Sequence, residues 1–185
     1  KNITNFKNSV KANGGYYIGR YEARTTTPRN DIGNDLTQIT EKGTDQVYNY
    51  VKQQQAAQLA QGMYTSNNFT SDLMNSYAWD TATLFLQNCG TNKKYSIKNS
   101  FNSSLLQTGT NALSETKKID KQCNVYDMAS NVGEWTTETS TSHSNFPCVR
   151  MGGDYNDISD ITSNRISSRT SNSNDYVGFR PLLYL

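Results

Sequence analysis

Apolar residues recur along this chain in short stretches, and their period changes several times. Gly14-Gly15 precede Tyr16-Tyr17-Ile18-Gly19-Arg20-Tyr21-Glu22-Ala23, an aromatic-rich, alternating run that predicts a strand. Residues 24–44 are rich in Thr, Asn, Asp and Gly around Pro28 and predict a loop. Val47, Asn49 and Val51 alternate with Tyr48 and Tyr50, which gives a second short strand. Ala56, Leu59, Ala60 and Met63 then fall at i, i+3, i+4 and i+7, so a helix begins near Gln53 with Gly62 as its stop.

The next segment carries the clearest helical signal. Ser71 can cap it and Asp72 lies in its first turn. Leu73, Met74, Tyr77, Ala78, Thr81, Leu84 and Phe85 form one broad apolar stripe that stops before Gly90. Residues 91–121 show no period, and a loop that long inside a compact domain is usually either functional or poorly determined. Strand-like pieces return at Val132–Thr137, Pro147–Met151 and Val177–Leu185, and no internal repeat is present. Two early helices followed by late strands imply an α+β domain rather than a βαβ series.

Composition changes this picture in one respect. Hydrophobic residues are 34% and charged residues 18% of the 185, and Asn, Ser and Thr together make up about a third. So polar a chain could stay unfolded, but 12 Tyr, 6 Phe and 2 Trp supply enough bulky apolar surface for a core. The expected unit is one very polar domain spanning residues 1–185, and the abrupt start at Lys1 reads as the C-terminal part of a longer protein. With 18 basic and 16 acidic residues and no basic run beyond two, a surface that tracks nucleic-acid phosphates is not expected. No apolar run is long enough to span a membrane. Cys89, Cys123 and Cys148 lack zinc-knuckle or redox spacing and leave open one disulfide plus one free thiol. The single histidine, His143, sits in a polar stretch and reads as an exposed loop residue.

The most informative run is Asn124-Val-Tyr-Asp-Met-Ala-Ser-Asn-Val-Gly-Glu-Trp135. Val125, Met128 and Val132 are apolar anchors around a tight turn, and Trp135 would pin that turn to a sheet. Asp127, Asn131 and Glu134 crowd oxygen ligands into eight residues. Such crowding is either a self-satisfied turn network or a site for a hard cation such as calcium.

This run resembles the N-x-Y-D-M-x-G-N-V-x-E-W signature of the formylglycine-generating-enzyme (sulfatase-modifying-factor) superfamily. Gly15–Glu22 is similar to that family's opening strand, and Ser71–Ala82, with Trp79, to its Trp-bearing helix. Val149-Arg-Met-Gly-Gly153 resembles its R-x-x-R-G-G step, and Gly178-Phe-Arg180 its closing G-F-R. The resemblance implies a C-type-lectin-like α+β fold with two helices, twisted antiparallel strands and long irregular loops. It also implies calcium at positions matching Asp127, Ser130, Val132 and Glu134. Ser130 departs from the family's glycine, and Asp154-Tyr155 from its Ser-aromatic pair. The catalytic members use copper held by a pair of cysteines shortly after the G-G step, and residues 154–185 contain none. Iron-dependent relatives need several histidines. An enzyme of this type is therefore not expected.

The chain resembles still more the variable proteins of diversity-generating retroelements, which share this fold and vary near the C-terminus. Residues 154–176 lie between the fixed anchors Gly152-Gly153 and Gly178-Phe-Arg180 and consist largely of Asn, Asp, Ser, Thr and Tyr. Adaptable paratopes use the same residues. The expected ligand surface is Tyr155, Asn156, Asp157, Ser159, Asp160, Asn164, Ser168, Thr170, Asn172, Asn174 and Tyr176. Ile158, Ile161 and Ile166 would stitch the segment to the domain. The implied partner is a protein or glycan on another cell or surface, met outside the cell, on a cell surface or on a phage particle. The competing readings are a formylglycine-generating-type oxidase and a structural domain of a phage or cell-surface fibre. Trp79, Trp135, Phe179 and Arg180 are expected in the interior.

Overall fold

A computed structural model describes residues 3–30, 39–40, 42, 45–91, 93, 120–156 and 161–185. The chain opens with helix α1 (Ile3–Asn13), followed by the short strands β1 (Tyr17–Ile18), β2 (Arg24–Thr25), β3 (Ile39–Thr40) and β4 (Gln46–Val47). Helix α2 (Gln53–Met63), strand β5 (Thr70–Leu73) and helix α3 (Ser76–Cys89) come next. The described C-terminal part is all strand: β6 (Lys121–Gln122), β7 (Val125–Tyr126), β8 (Gly133–Thr139), β9 (Cys148–Met151), β10 (Arg165–Ser168), β11 (Val177–Phe179) and β12 (Pro181–Tyr184).

Two sheets organise the domain. In one, β12 lies between β1 and β5, so the last strand closes against one of the first. In the other the order is β10-β9-β8-β11, antiparallel except for the parallel β8–β11 pair. Smaller sheets β3-β2-β4 and β6-β7 complete the described architecture. One core cluster gathers Trp79, Met128, Met151 and Leu182 under α1 and α3. A second gathers Tyr48, Leu59, Trp135 and Phe179 under α2.

The α+β expectation holds, with three helices among the described residues rather than two. α1 was missed because only Phe6 and Ser9 of its eleven residues are buried, too sparse a pattern for an apolar stripe. α2 starts at Gln53 as its period predicts, with Lys52 N–H donating to the Gln55 side chain at 3.0 Å. Gly62 is not its stop: the helix runs to Met63 and ends where Tyr64 turns extended.

α3 departs further. Ser71, expected as its cap, lies in β5, where Thr70–Leu73 pairs with Pro181–Tyr184. The cap is Asn75, whose side chain accepts from Ala78 N–H at 2.9 Å. The buried face is Ala78, Trp79, Ala82, Thr83 and Leu86, while Tyr77, Leu84 and Phe85 are exposed. One residue on a helix is about 100° of rotation, so beginning the stripe at Leu73 set the face wrongly. Trp79 decides the orientation: it is buried, donates its indole N–H to Thr162 O at 2.8 Å, and packs beneath Gly152. A Cβ at Gly152 would come within 2.6 Å of Met128 O, and its φ of +83° already requires glycine.

Further corrections concern loops and cysteines. The expected strand at 16–23 is paired only at Tyr17–Ile18, although Ala23 N–H still reaches Phe179 O. The expected loop at 24–44 begins with β2, which pairs with both β3 and β4. Most of the 91–121 loop lies outside the described residues. All three cysteines are free, Cys148 buried and the other two exposed. His143 is exposed, as expected.

Trp79, Trp135 and Phe179 are each at most 1% exposed. Trp135→Ala and Trp79→Ala should each lose about 3–5 kcal/mol of unfolding free energy in urea titrations. An unchanged urea midpoint for either variant would contradict this placement.

Candidate functional site

The signature run at residues 124–135 opens as a turn built on left-handed residues. Cys123 and Asn124 both have positive φ and make the two-residue connection between β6 and β7, the geometry of a type I′ hairpin. Asp127 and Asn131 are left-handed too, a conformation that Asp and Asn tolerate better than most residues. Asp120 ties the turn by accepting from Ala129 N–H at 2.8 Å and from Ser130 Oγ at 3.0 Å. Ser130 thus puts its hydroxyl to use where the resembled motif has glycine.

Beneath this turn lies a buried network of charge. Arg180 is fully buried, and its Nε donates to both oxygens of Glu134 at 3.2 and 3.1 Å. Its Nη2 reaches Glu134 Oε1 and Tyr126 O, both at 2.7 Å, and its Nη1 reaches Gly19 O at 2.8 Å. Arg24, also fully buried, donates through Nη2 to Glu22 at 3.1 Å and to Asp127 at 3.2 Å. Glu22 further accepts from the Asn131 side chain and from Val132 N–H.

Burial pushes the Asp127 carboxyl up to about 7; Arg24 opposes this and Asp120 adds to it. Glu22 is held well above the ordinary carboxylate range by the same desolvation, against the pull of Arg24. Glu134 is raised too, by burial against Arg180.

Of the four residues implied for calcium, three have their side chains engaged with other groups. Asp127 and Glu134 face guanidinium groups, Ser130 bonds Asp120, and Val132 N–H bonds Glu22. As arranged, the two carboxylates are turned to arginine side chains. Among the described residues no group of three His, Cys, Asp or Glu has metal-binding proximity.

The described parts of the expected ligand segment, 154–156 and 161–176, are built into the domain. β10 adds to β9, with Arg165 opposite Met151 and Ser168 opposite Cys148. Tyr155 N–H bonds Asn131 O, Tyr50 N–H bonds Asn174 O, and Gly133 N–H bonds Tyr176 O. The segment's first residue, Asp154, is buried, pairs with Arg150 and accepts from Asn156 N–H.

A cleft of about 450 Å³ opens along this segment. Ser168, Asn172, Asn174 and Tyr176 line it, together with Ser167, Arg169, Ser171 and Ser173 of the same segment and Phe146 and Arg150 from outside it. Thr170 instead lines a neighbouring recess of about 340 Å³ with Cys148 and the start of α2. Tyr155, Asn156 and Asn164 line neither; Tyr155 is half-buried with its hydroxyl on Asp175, and Asn156 is exposed. Ser168 is nearly buried, and Asp157, Ser159 and Asp160, with Ile158, lie outside the described residues. Reading the sequence missed Phe146, Arg150, Ser167, Arg169, Ser171 and Ser173. Arg150 lies before the segment, in the run that resembles the R-x-x-R-G-G step, and only the fold turns it toward the segment.

The fold is that of C-type-lectin-like and formylglycine-generating-enzyme-like proteins. Treponema denticola variable protein 1 superposes with a TM-score of 0.59 at 16% identity, over 92% of this chain and 84% of that one. PvdO from Pseudomonas aeruginosa superposes with a TM-score of 0.54 at 19% identity, over 97% of this chain and 76% of that one. No family model and no curated protein sequence matches.

Two predictions follow from the buried charges. Arg180→Ala leaves Glu134 buried without its counter-charge and should lose about 3–5 kcal/mol of stability in urea titrations; wild-type stability would contradict the pairing. The pH dependence has a definite sign. A folded-state pKa raised from 3.8 to about 7 means that the Asp127 contribution is present below 3.8 and lost as pH rises through about 7. Melting temperature should fall between about pH 5 and about pH 8, and Asp127→Asn should flatten part of that slope. An identical slope in the variant would show that Asp127 does not titrate there.

Proposed function

We propose that this chain is a non-catalytic ligand-binding domain that displays residues 154–176 as its contact surface, in the manner of retroelement-diversified variable proteins. The observation that carries this reading is the cleft: apart from Phe146 and Arg150, its lining residues come from that one segment. The ends of the segment are fixed by buried anchors, Asp154 on one side and Val177 on the other, so its outer side chains can change without disturbing the core. Fold likeness to a protein named as a variable protein supports the reading. The partner would be a protein or glycan on another cell or surface, with the domain exposed outside a cell or on a phage particle. Among the described residues no helix is long and apolar enough to cross a membrane.

A formylglycine-generating-type oxidase is the alternative. It lacks support in the chain's own chemistry, because no cysteine follows Met151 and burial pushes the Cys148 thiol above its ordinary pKa, away from the thiolate that copper needs. Copper-dependent turnover of a sulfatase-derived cysteine peptide would favour it. A structural fibre domain would bind nothing that raises its melting temperature.

The test is a combined Asn156→Ala, Thr170→Ala, Asn172→Ala variant, probed in parallel with wild type on arrays of cell-surface proteins and glycans. Asn156→Ala and Thr170→Ala should each alter stability by no more than about 0.5 kcal/mol, since both are exposed, and Asn172→Ala by about 1 kcal/mol, since it is half-buried and accepts from Asn174. Recognition should weaken strongly. A variant that unfolds, or that keeps every wild-type array signal, would refute the display surface.

A further inference from the structure

The cleft has a chemistry that points to a narrower class of ligand. Two guanidinium groups reach it, and each lies over an aromatic ring: Arg150 is 5.2 Å from the Tyr176 centroid and Arg169 is 5.3 Å from that of Phe146. No carboxylate is among the lining residues. Arg150 shares one Nη with Asp154, but its Nε is buried without a partner. Arg169 is exposed and makes no ion pair among the described residues. Ser173, also lining the cleft, is only 7% exposed, and its Oγ has no hydrogen-bond partner. Buried polar atoms are rarely left orphaned, and rotation about its Cα–Cβ bond can turn this hydroxyl toward a partner in the cleft.

Resting on the display reading above, we propose that this cleft binds the carboxylate-bearing ring of an acidic sugar. The arginines supply the flat, charged fork that carboxylates prefer, and their stacking on Tyr176 and Phe146 holds the forks in place. Asn174 Nδ2 is committed to Asn172 Oδ1 and the Tyr176 hydroxyl, which leaves Asn172 Nδ2 as donor and Asn174 Oδ1 as acceptor, beside Ser173, for ring hydroxyls. The volume of about 450 Å³ suits one or two sugar rings and lies within the range of small-molecule sites. An acidic peptide is the competing occupant. It is less well matched, because the lining is mostly hydroxyl and amide groups and lacks an aliphatic pocket for an anchoring side chain.

The experiment is an NMR titration of the full chain with four probes: methyl β-D-glucuronide, the methyl glycoside of N-acetylneuraminic acid, methyl β-D-glucoside, and a blocked Glu-Glu dipeptide. At least one acidic glycoside should move the signals of Arg169 and Ser173 and bind about tenfold or more tightly than the glucoside. Which of the two binds identifies a uronic or a sialic source. Its affinity should fall as salt rises from about 0.05 to about 0.5 M. Arg169→Gln should weaken binding about tenfold with no change in melting temperature. Ser173→Ala should weaken it several-fold while melting at the wild-type temperature or slightly higher, because an unsatisfied buried hydroxyl is removed. Equal binding of glucoside and glucuronide would overturn the proposal, as would binding of the dipeptide alone or unmoved cleft signals with both acidic sugars. In each of those cases the display surface still stands if the combined 156, 170 and 172 variant loses the array signals, so the two readings fail separately.

Discussion

Arg180 and Glu134 meet in the interior with no access to water, and the rest of the fold is arranged around that fact. Moving either charge out of water is expensive, so each must find a complete set of partners. Glu134 lies on β8 opposite Gly178, and Arg180 bridges β11 and β12, so their contact locks the parallel strand pair to the closing strand. The remaining donors of Arg180 fix the carbonyls of Gly19 and Tyr126, which belong to the opening strand region and the signature turn. One guanidinium thereby registers four separate parts of the chain. The Arg24–Glu22–Asp127 cluster repeats the device next to it and holds the left-handed turn residues in place.

This arrangement gives the 154–176 segment an unusual freedom. Its neighbours are fixed from below by glycines with no room for a side chain: Gly152 against Trp79 and Met128, and Gly178 against Val132 and Tyr48. Between them the described residues are held by backbone hydrogen bonds, including the β10–β9 ladder, and by side-chain ties of Asp154 to Arg150 and of Arg165 to Asp80 and Glu138. Backbone bonding does not depend on side-chain identity, so polar residues can vary on the outer side while the frame persists. A frame of this kind is suited to presenting a surface, and that is the role proposed for it.

Much of the scaffold was legible in the sequence because its residues have few physical alternatives. Trp135 and Phe179 are too large to leave exposed, α2 follows its apolar period, and a buried Arg180 demands a carboxylate. α1 was not legible, since only Phe6 and Ser9 are buried, nor was the start of α3, where strand pairing with β12 took Ser71–Leu73 away from the helix. Local propensity cannot anticipate a strand partner more than a hundred residues away.

The same division applies to the site. Sequence alone marked 154–176 as a polar, Tyr-bearing stretch between fixed anchors, because its composition and position are local properties. It also identified Asp127, Asn131 and Glu134 as crowded oxygens, but not which cations would meet them. Only the tertiary structure brought Arg24 and Arg180 to those carboxylates, buried Ser168, and turned Arg150, Phe146 and Ser173 into one cleft. Electrostatic partnership and concavity arise between segments distant along the chain, so no reading of one segment contains them.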